Sequence, residues 1–249
     1  MIEISVVIPN YNRTTKTLSA VKSVLRQSHP VKEILVVDDG SDATTVDFLR
    51  SQVRPLSDRV QIIEMKHSGH PGIVRNQGIA ASKGNWIAFL DSDDEWEPTK
   101  IETQVQRSAS SGAMAIGESH LDKQGTRSPW RLLDTRKLMI RNPLICSSVL
   151  VEKNLLQKVG NFPSSNYSIA VEDYITWLKI STQTKWHLSS GNEVKYDQTS
   201  EMSLSKSIET QSRFSREIAL LQFADWKFKQ TQKSSFRLRA FNKMLRQAI

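Results

Sequence analysis

Short β-branched runs alternate with helical segments through the first hundred residues, and this alternation constrains the fold more than any other feature of the chain. The apolar runs cover residues 4–8, 33–37, 60–64 and 86–90. The segments between them, which predict helices over residues 14–27, 44–53 and 72–82, carry apolar residues at helical spacing, as in Leu18, Val21 and Leu25. Strands joined by helices predict right-handed crossovers and a mostly parallel sheet covered on both faces. We therefore expect an α/β fold.

Polar residues follow each of the four predicted strands. In chain order they are Pro9, Asn10 and Tyr11, then Asp38 and Asp39, then residues 67–71, and finally Asp91, Ser92, Asp93 and Asp94. Ligands of parallel sheets bind beyond the carboxyl ends of the strands. An aromatic ring, a carboxylate pair, a glycine-bearing loop and an acidic cluster along one edge match the requirements of a nucleoside diphosphate.

The acidic cluster at Asp91, Asp93 and Asp94 follows an apolar strand directly. Neighbouring carboxylates repel one another unless a cation or strong hydrogen-bond donors compensate, and a hard divalent metal can do so through oxygen ligands. The alternative is a polar loop that caps a helix beginning near Pro98. No Gly-x-Gly-x-x-Gly follows the first strand and no Walker phosphate-binding loop occurs, so metal and basic side chains must neutralise the phosphates.

Composition fits an ordinary globular protein. The chain has 249 residues, of which 38% are apolar and 24% charged. No apolar stretch approaches the roughly 20 residues that span a bilayer, and the N-terminus has no basic region followed by an apolar core, so we expect a cytoplasmic protein. The single cysteine, Cys146, excludes an internal disulfide. It lies in an apolar segment, residues 144–150, that predicts a core strand and favours a buried thiol.

Five motifs occur in order along the chain and resemble those of family 2 glycosyltransferases. They are Val7-Ile8-Pro9-Asn10-Tyr11-Asn12-Arg13, Val37-Asp38-Asp39-Gly40-Ser41, Arg75-Asn76-Gln77-Gly78-Ile79, residues 84–94 and Glu172-Asp173-Tyr174. The resemblance covers about residues 3–203. It implies the GT-A fold, a Rossmann-like arrangement, over residues 1–204, with a nucleotide-binding half at 1–100 and an acceptor-binding half at 101–204.

The resemblance also implies roles for single residues. Tyr11 stacks on the nucleobase of a UDP-sugar, Asp39 accepts from a ring N–H, Pro9 shapes the pocket and Arg75 reaches the base or the diphosphate. Asp91 holds the ribose. Arg13 and Ser92 complete the nucleotide site. Each of these residues also has an ordinary structural explanation, such as helix capping or surface exposure, and only their order along the chain favours a site.

The same resemblance assigns the metal and the chemistry. Asp93 binds Mn²⁺ or Mg²⁺, with Asp94 as a weaker candidate, while Glu172 and Trp96 contact the acceptor. Asp173 is the expected base, because inverting transfer requires removal of a proton from the attacking hydroxyl group. Acidic residues are also common in the first turn of a helix, so capping alone is an alternative explanation for Asp173.

Two departures from the family pattern limit the prediction. Many members carry a histidine in the segment that corresponds to residues 197–202, and this chain has none there. His187 lies elsewhere and is more simply a structural or surface residue. There is also no Gln-x-x-Arg-Trp motif of processive polymer synthases, which predicts the addition of a single sugar.

Basic residues are concentrated in two regions. From Arg213 to Ile249, nine basic and two acidic residues account for +7 of the net charge of +8. Apolar residues interleave with them, which predicts an amphipathic, helical C-terminal extension over residues 205–249. Arg127, Trp130, Arg131, Arg136, Lys137 and Arg141 form the second group. The expected partner is an anionic membrane surface at the inner face of the plasma membrane. The alternative is that the C-terminal extension packs on the main domain. No nucleic-acid-binding motif is present, so nucleic acid is not an expected partner.

Three classes of function are compatible with these features. A metal-dependent inverting glycosyltransferase acting on a glycan or a lipid-linked oligosaccharide is favoured. A sugar nucleotidyltransferase is expected to carry a glycine-rich loop after the first strand, whereas this chain has Asn10-Tyr11-Asn12-Arg13. A non-catalytic nucleotide-sugar-binding or membrane scaffold protein has no need of both Asp93 and Asp173.

Overall fold

The computed structural model describes residues 1–119, 131–189, 193–195 and 214–231. The strands are β1 (Ile4–Asn10), β2 (Glu33–Asp38), β3 (Val60–Glu64), β4 (Trp86–Phe89), β5 (Glu95–Trp96), β6 (Ala115–Glu118), β7 (Leu132–Leu133), β8 (Leu150–Glu152), β9 (Trp186–Ser189) and β10 (Val194–Lys195). The helices are α1 (Thr15–Leu25), α2 (Ala43–Phe48), α3 (Pro71–Ala81), α4 (Lys100–Ser111), α5 (Thr135–Ile140), α6 (Lys153–Lys158), α7 (Glu172–Ser181) and α8 (Ser215–Thr231).

Eight of the strands in the described residues form one sheet, in the order β3-β2-β1-β4-β8-β6-β9-β7. Strands β3, β2, β1 and β4 are all parallel, which aligns their carboxyl ends along one edge. Strand β8 is antiparallel to both β4 and β6, and β9 is parallel to β6. The mostly parallel α/β sheet predicted from the sequence is therefore confirmed.

The core consists of two apolar clusters, one on each face of the sheet. Successive residues of β1 point to opposite faces, so Val7 joins one cluster while Val6 and Ile8 join the other. Helices α3 and α7 cover the Val7 face, and α1 covers the face of Val6 and Ile8. Because both faces are covered, these strands are nearly continuous apolar runs.

The predicted helices are present with shifted ends. Residues 14–27 contain α1 and residues 72–82 overlap α3, which begins at Pro71. The predicted helix over 44–53 is α2 followed by a π-helical turn at Leu49–Val53. Helix α2 starts where the side chain of Asp42 accepts from the Thr45 N–H at 2.7 Å, a typical N-cap interaction.

A strand predicted over residues 144–150 is wrong for most of its length. Cys146–Ser148 forms a 3₁₀ turn, and β8 begins only at Leu150. The Ser148 hydroxyl donates to the Ile145 carbonyl at 2.6 Å, and this local hydrogen bond favours a turn over a strand ladder. The segment is nevertheless buried as its apolar composition predicted, and Cys146 is a free buried thiol.

The described part of the C-terminal extension is helix α8, which packs on α7. Ala219 and Phe223 are buried in the core, and the Lys179 ammonium lies 5.8 Å from the centre of the Trp226 ring. Packing on the main domain, one of the two alternatives for the extension, therefore applies to α8. The basic residues that follow α8 in the chain lie outside the described residues, as do Arg127 and Trp130. None of the described helices is long and apolar enough to cross a membrane.

Candidate active site

The carboxyl ends of β1, β2 and β4 bring three of the predicted motifs to one edge of the sheet. Residues Asn10 and Asp38 are register partners in adjacent strands, and the Asn10 amide donates to Asp38 at 2.8 Å. The Ser41 N–H and hydroxyl also donate to Asp38. Asp38 is buried and held by these bonds, so it shapes the turn after β2, while Asp39, which is also buried, is the carboxylate predicted to accept from a base N–H.

Asp39 is held by the loop that follows β3. Its carboxylate accepts from the Ser68 N–H at 2.8 Å, from the Ser68 hydroxyl at 2.8 Å and from the Gly69 N–H at 2.9 Å. The ring of His67 lies beside it, with Nδ1 3.2 Å from a carboxylate oxygen. The orientation of Asp39 is therefore fixed by the backbone of a neighbouring loop.

Tyr11 follows β1 at the same edge of the sheet and is 41% exposed. Its ring stacks on His67, with the ring centres 4.4 Å apart and an angle of 25° between the planes. Pro9 is partly exposed at the end of β1, where it pairs with Val37. The predicted stacking residue and the predicted acceptor are thus close together, and His67 lies between them, a residue that the sequence analysis did not single out.

The acidic loop after β4 divides its carboxylates between two environments. Asp93 is partly exposed, and the Arg13 guanidinium lies 3.0 Å from its carboxylate and 3.2 Å from the Ser92 hydroxyl. Asp94 is 2% exposed and accepts from the Ser147 hydroxyl at 2.5 Å. The same hydroxyl accepts from the Asp91 N–H at 3.0 Å. Ser147 therefore holds both ends of the loop.

These environments decide which carboxylate fits a metal. Among the described residues, no three His, Cys, Asp or Glu side chains come close enough to form a complete metal cage. Mg²⁺ and Mn²⁺ sites of phosphate-transferring enzymes commonly use one or two carboxylates and take further oxygens from the substrate. Asp93 fits that role. Asp94, predicted as the weaker ligand, does not fit in this conformation because it is buried against Ser147.

Arg75 connects the acidic loop to α7. Its guanidinium donates to Asp91 at 2.7 Å and to Glu172 at 2.8 Å, and the side chain is 6% exposed. This differs from the prediction that Arg75 reaches the base or the diphosphate. It also changes the role of Glu172, predicted to bind the acceptor, because Glu172 is buried and paired with Arg75. Asp91 remains partly exposed, as a contact to ribose requires.

Asp173 follows Glu172 in the first turn of α7 and is partly exposed. Burial, with a smaller contribution from the negative charge of Glu172, raises the pKa of Asp173 to about 7, and Arg75 opposes the shift. One carboxylate oxygen accepts from the Tyr174 N–H at 2.6 Å. A partly exposed carboxyl group that titrates near neutral pH is suited to accept a proton from a substrate.

The prediction that Trp96 contacts the acceptor disagrees with its burial. The indole is 2% exposed, donates to the Ser147 carbonyl at 2.6 Å and lies 3.9 Å from the Lys100 ammonium. Burial lowers the pKa of Lys100 to about 7. Trp96 therefore packs beneath the acidic loop. His187 is partly buried in β9, and its pKa is lowered by burial, in keeping with a structural role.

Two residues of the site were missed by sequence reasoning. The signal for His67 was its position after β3 on the same edge as Tyr11 and Asp39. The signal for Ser147 was weaker, because hydroxyl groups in an apolar run are also typical of a buried strand. The segment at 197–202, where the family histidine is absent, lies outside the described residues.

Comparison with known proteins identifies relatives of one kind. Residues 5–162 match the sequence profile described as Glycosyl transferase family 2. The chain is 30% identical over 186 residues to the putative teichuronic acid biosynthesis glycosyltransferase TuaG of Bacillus subtilis, a match that covers 71% of each chain. It is 27% identical over 183 residues to the UDP-Glc:alpha-D-GlcNAc-diphosphoundecaprenol beta-1,3-glucosyltransferase WfgD of Escherichia coli, covering 71% of this chain and 69% of that protein.

Other relatives are matched over a smaller part of their length. The succinoglycan biosynthesis protein ExoO of Rhizobium meliloti is 30% identical, and the match covers 62% of this chain but 43% of that protein. Among solved structures, Staphylococcus aureus TarS 1-349 in complex with UDP-GlcNAc has a TM-score of 0.71 at 18% identity, covering 91% of this chain and 67% of that one. The mannosyltransferase PcManGT from Pyrobaculum calidifontis in complex with GDP-Man and Mn²⁺ has a TM-score of 0.64 at 16% identity, covering 94% and 65%. These structures share the GT-A fold.

Proposed function

The chain belongs to glycosyltransferase family 2, and from this premise we propose that it transfers one sugar from a UDP-sugar to a hydroxyl group of a lipid-linked glycan. The acceptor is an intermediate in the synthesis of a cell-surface polysaccharide. The names of TuaG, ExoO and WfgD support this setting. The arrangement of Asp93 and Asp173 carries the proposal: Asp93 is suited to bind a metal and Asp173 to accept a proton. Arg75 joins the acidic loop to α7 through its ion pairs with Asp91 and Glu172.

The donor pocket supports a uridine nucleotide. Tyr11 offers an exposed ring for stacking, and Asp39 lies behind it as an acceptor for a base N–H. TarS, which has the same fold, binds UDP-GlcNAc. Asp91, partly exposed next to Asp93, is available to the ribose. A uridine bound in this way has its diphosphate directed toward the acidic loop.

The diphosphate requires positive charge as the sugar leaves. When bound at Asp93, Mn²⁺ or Mg²⁺ would neutralise the negative charge that develops on the phosphate oxygens. Arg13 pairs with Asp93 in the structure, so the same guanidinium is within reach of a phosphate once a cation takes its place. The divalent cation and the Arg13 guanidinium are both positively charged and bind phosphate oxygens, which suits a diphosphate better than a neutral leaving group.

Asp173 acts on the acceptor. The acceptor oxygen forms a bond to the anomeric carbon while the bond from that carbon to the diphosphate oxygen breaks, and the proton of the attacking hydroxyl passes to the Asp173 carboxylate. Its pKa of about 7 keeps a useful fraction ionised at neutral pH and makes it a stronger base than an exposed aspartate. Attack from the face opposite the diphosphate inverts the configuration at the anomeric carbon.

A donor screen tests this proposal. Release of UDP from UDP-Glc, UDP-Gal, UDP-GlcNAc and UDP-GalNAc is measured with Mn²⁺ and with Mg²⁺, in the presence of an undecaprenyl-diphosphate-linked sugar. We expect one UDP-sugar to be consumed with a metal and none with a chelator. In the Asp173→Asn variant, transfer should fall by at least about 100-fold, the contribution of a general base, while UDP binding persists. Turnover unchanged in that variant would exclude Asp173 as the base.

The surface around α5 supports the membrane part of the proposal. Three large apolar side chains are exposed there: Met139 at 42%, Ile140 at 60% and Phe214 at 62%. Arg216 joins the two elements by donating to the Met139 carbonyl at 3.1 Å. The second basic group contributes Arg136 and Lys137 within α5 and Arg141 directly after it. Exposed apolar side chains within a basic surface are suited to the interface of an anionic bilayer at the cytoplasmic face.

Vesicle co-sedimentation tests the membrane proposal separately. We expect more protein to sediment with vesicles containing phosphatidylglycerol than with phosphatidylcholine alone, and less sedimentation in 0.5 M salt. The double variant Ile140→Ser, Phe214→Ser should lose binding, whereas Arg54→Ser, an exposed basic position in the nucleotide-binding half, serves as a matched control. Equal recovery with both kinds of vesicle at low salt would remove the electrostatic argument.

A further inference from the structure

His67 occupies a defined place between the two groups of the donor pocket. Its ring stacks on Tyr11 at 4.4 Å, and its Nδ1 is 2.8 Å from the Asp39 carbonyl oxygen and 3.2 Å from the Asp39 carboxylate. A uracil ring bound as proposed must also stack on Tyr11 and place a ring N–H against that carboxylate. The imidazole and the base therefore compete for the same contacts.

The backbone around His67 is fixed, so only rotation of the His67 side chain can remove its ring from Tyr11. Gly40 has a positive φ of 69°, and a Cβ atom there would lie 2.6 Å from the His67 backbone nitrogen. The turn after β2 thus presses directly on the loop after β3. On the other side, Ser68 and Gly69 are bound to Asp39 through their N–H groups. The His67 side chain, by contrast, is 49% exposed and has room to rotate outward.

We propose that His67 is a further residue of the donor pocket, whose ring fills the base position in the free protein and swings out when uridine binds. This inference rests on the proposed UDP-sugar function. It makes His67 a residue that sets donor affinity, because each binding event must first separate the His67 and Tyr11 rings.

Calorimetric titration of UDP with Mn²⁺ tests the inference. Removing the competing ring in His67→Ala should tighten UDP binding by about two- to twelve-fold, the worth of one aromatic pair. His67→Phe keeps a ring against Tyr11 and should stay within about twofold of wild type. His29→Ala, a partly exposed histidine distant in sequence, is the matched control and should also bind like wild type.

Binding of inorganic diphosphate distinguishes this role of His67 from a structural defect, because a defect in the site would also change the affinity for diphosphate. It lacks a base, so its Mn²⁺-dependent affinity should be the same in wild type and in His67→Ala. If the wild-type protein binds UDP but His67→Ala binds it more weakly or equally well, the proposed role of His67 is overturned and the uridine donor site is not. A His67 ring that stacks on the bound base, and does not compete with it, would give that result. Failure of wild type and variant alike to bind UDP would overturn the uridine donor and this inference with it.

Discussion

Replacing Asp173 by Asn should stabilise the folded protein at neutral pH while it abolishes transfer. Burial raises the pKa of Asp173 to about 7 in the folded state, whereas an aspartate in an unfolded chain titrates near about 3.9. Between these two values the folded state binds more protons than the unfolded state, so the free energy of unfolding falls as pH rises. The asparagine side chain does not titrate and escapes this loss.

The size of the effect follows from the pKa shift. Each pH unit between the two pKa values changes the free energy of unfolding by about 1.4 kcal/mol. From pH 5 to pH 7 the variant should therefore gain about 3 kcal/mol relative to wild type. Because Asp173 is partly exposed, solvent screening reduces this value, and we expect a measured gain of at least about 1 kcal/mol.

Urea unfolding at pH 5, 6, 7 and 8 measures the difference directly. Asp42→Asn is the control, because hydrogen bonds from Thr45 lower the pKa of Asp42 and leave it ionised over this whole range. Its stability difference from wild type should be independent of pH. If the difference between Asp173→Asn and wild type were also constant from pH 5 to pH 8, the raised pKa and the argument for Asp173 as the base would both be refuted.

Two further substitutions test how the site is held together. Arg75→Met leaves Asp91 and Glu172 without their cation, and loss of one partner from a buried ion pair should cost about 3–5 kcal/mol in thermal or urea unfolding. Adding Glu172→Gln should recover part of that loss, and no recovery would argue against the pairing. Ser147→Ala removes the hydroxyl that bonds Asp94 and the Asp91 N–H, and should cost about 1–3 kcal/mol and weaken Mn²⁺-dependent UDP binding. Ser147→Thr keeps the hydroxyl and should retain that binding.

The sheet could be predicted from the sequence because its signal is local. Four β-branched runs with helical segments between them specify parallel strands, and parallel strands bring the residues that follow them to one edge. The sequence therefore predicts that Tyr11, Asp39 and Asp93 lie along one edge of the sheet. The later strands are short and partly antiparallel, and the 3₁₀ turn at Cys146–Ser148 interrupts a run that reads as a strand.

The roles of individual charged residues could not be read in the same way. Arg75 and Glu172 are almost one hundred positions apart, and only the packing of α3 against α7 turns them into a buried ion pair. Burial of Trp96 depends on the turn that carries Ser147, which the sequence did not predict. His67 has no motif of its own, and its importance comes from the ring it touches.

We propose that Asp93 holds a divalent cation for the diphosphate of a uridine nucleotide. Calorimetric titration of UDP into the wild-type protein and into Asp93→Ala, each with and without Mn²⁺, tests this role of Asp93. We predict that Mn²⁺ strengthens UDP binding at least about tenfold in wild type, equivalent to about 1.4 kcal/mol, and leaves it unchanged in Asp93→Ala. Equal UDP affinity with and without Mn²⁺ in the wild-type protein would contradict the account.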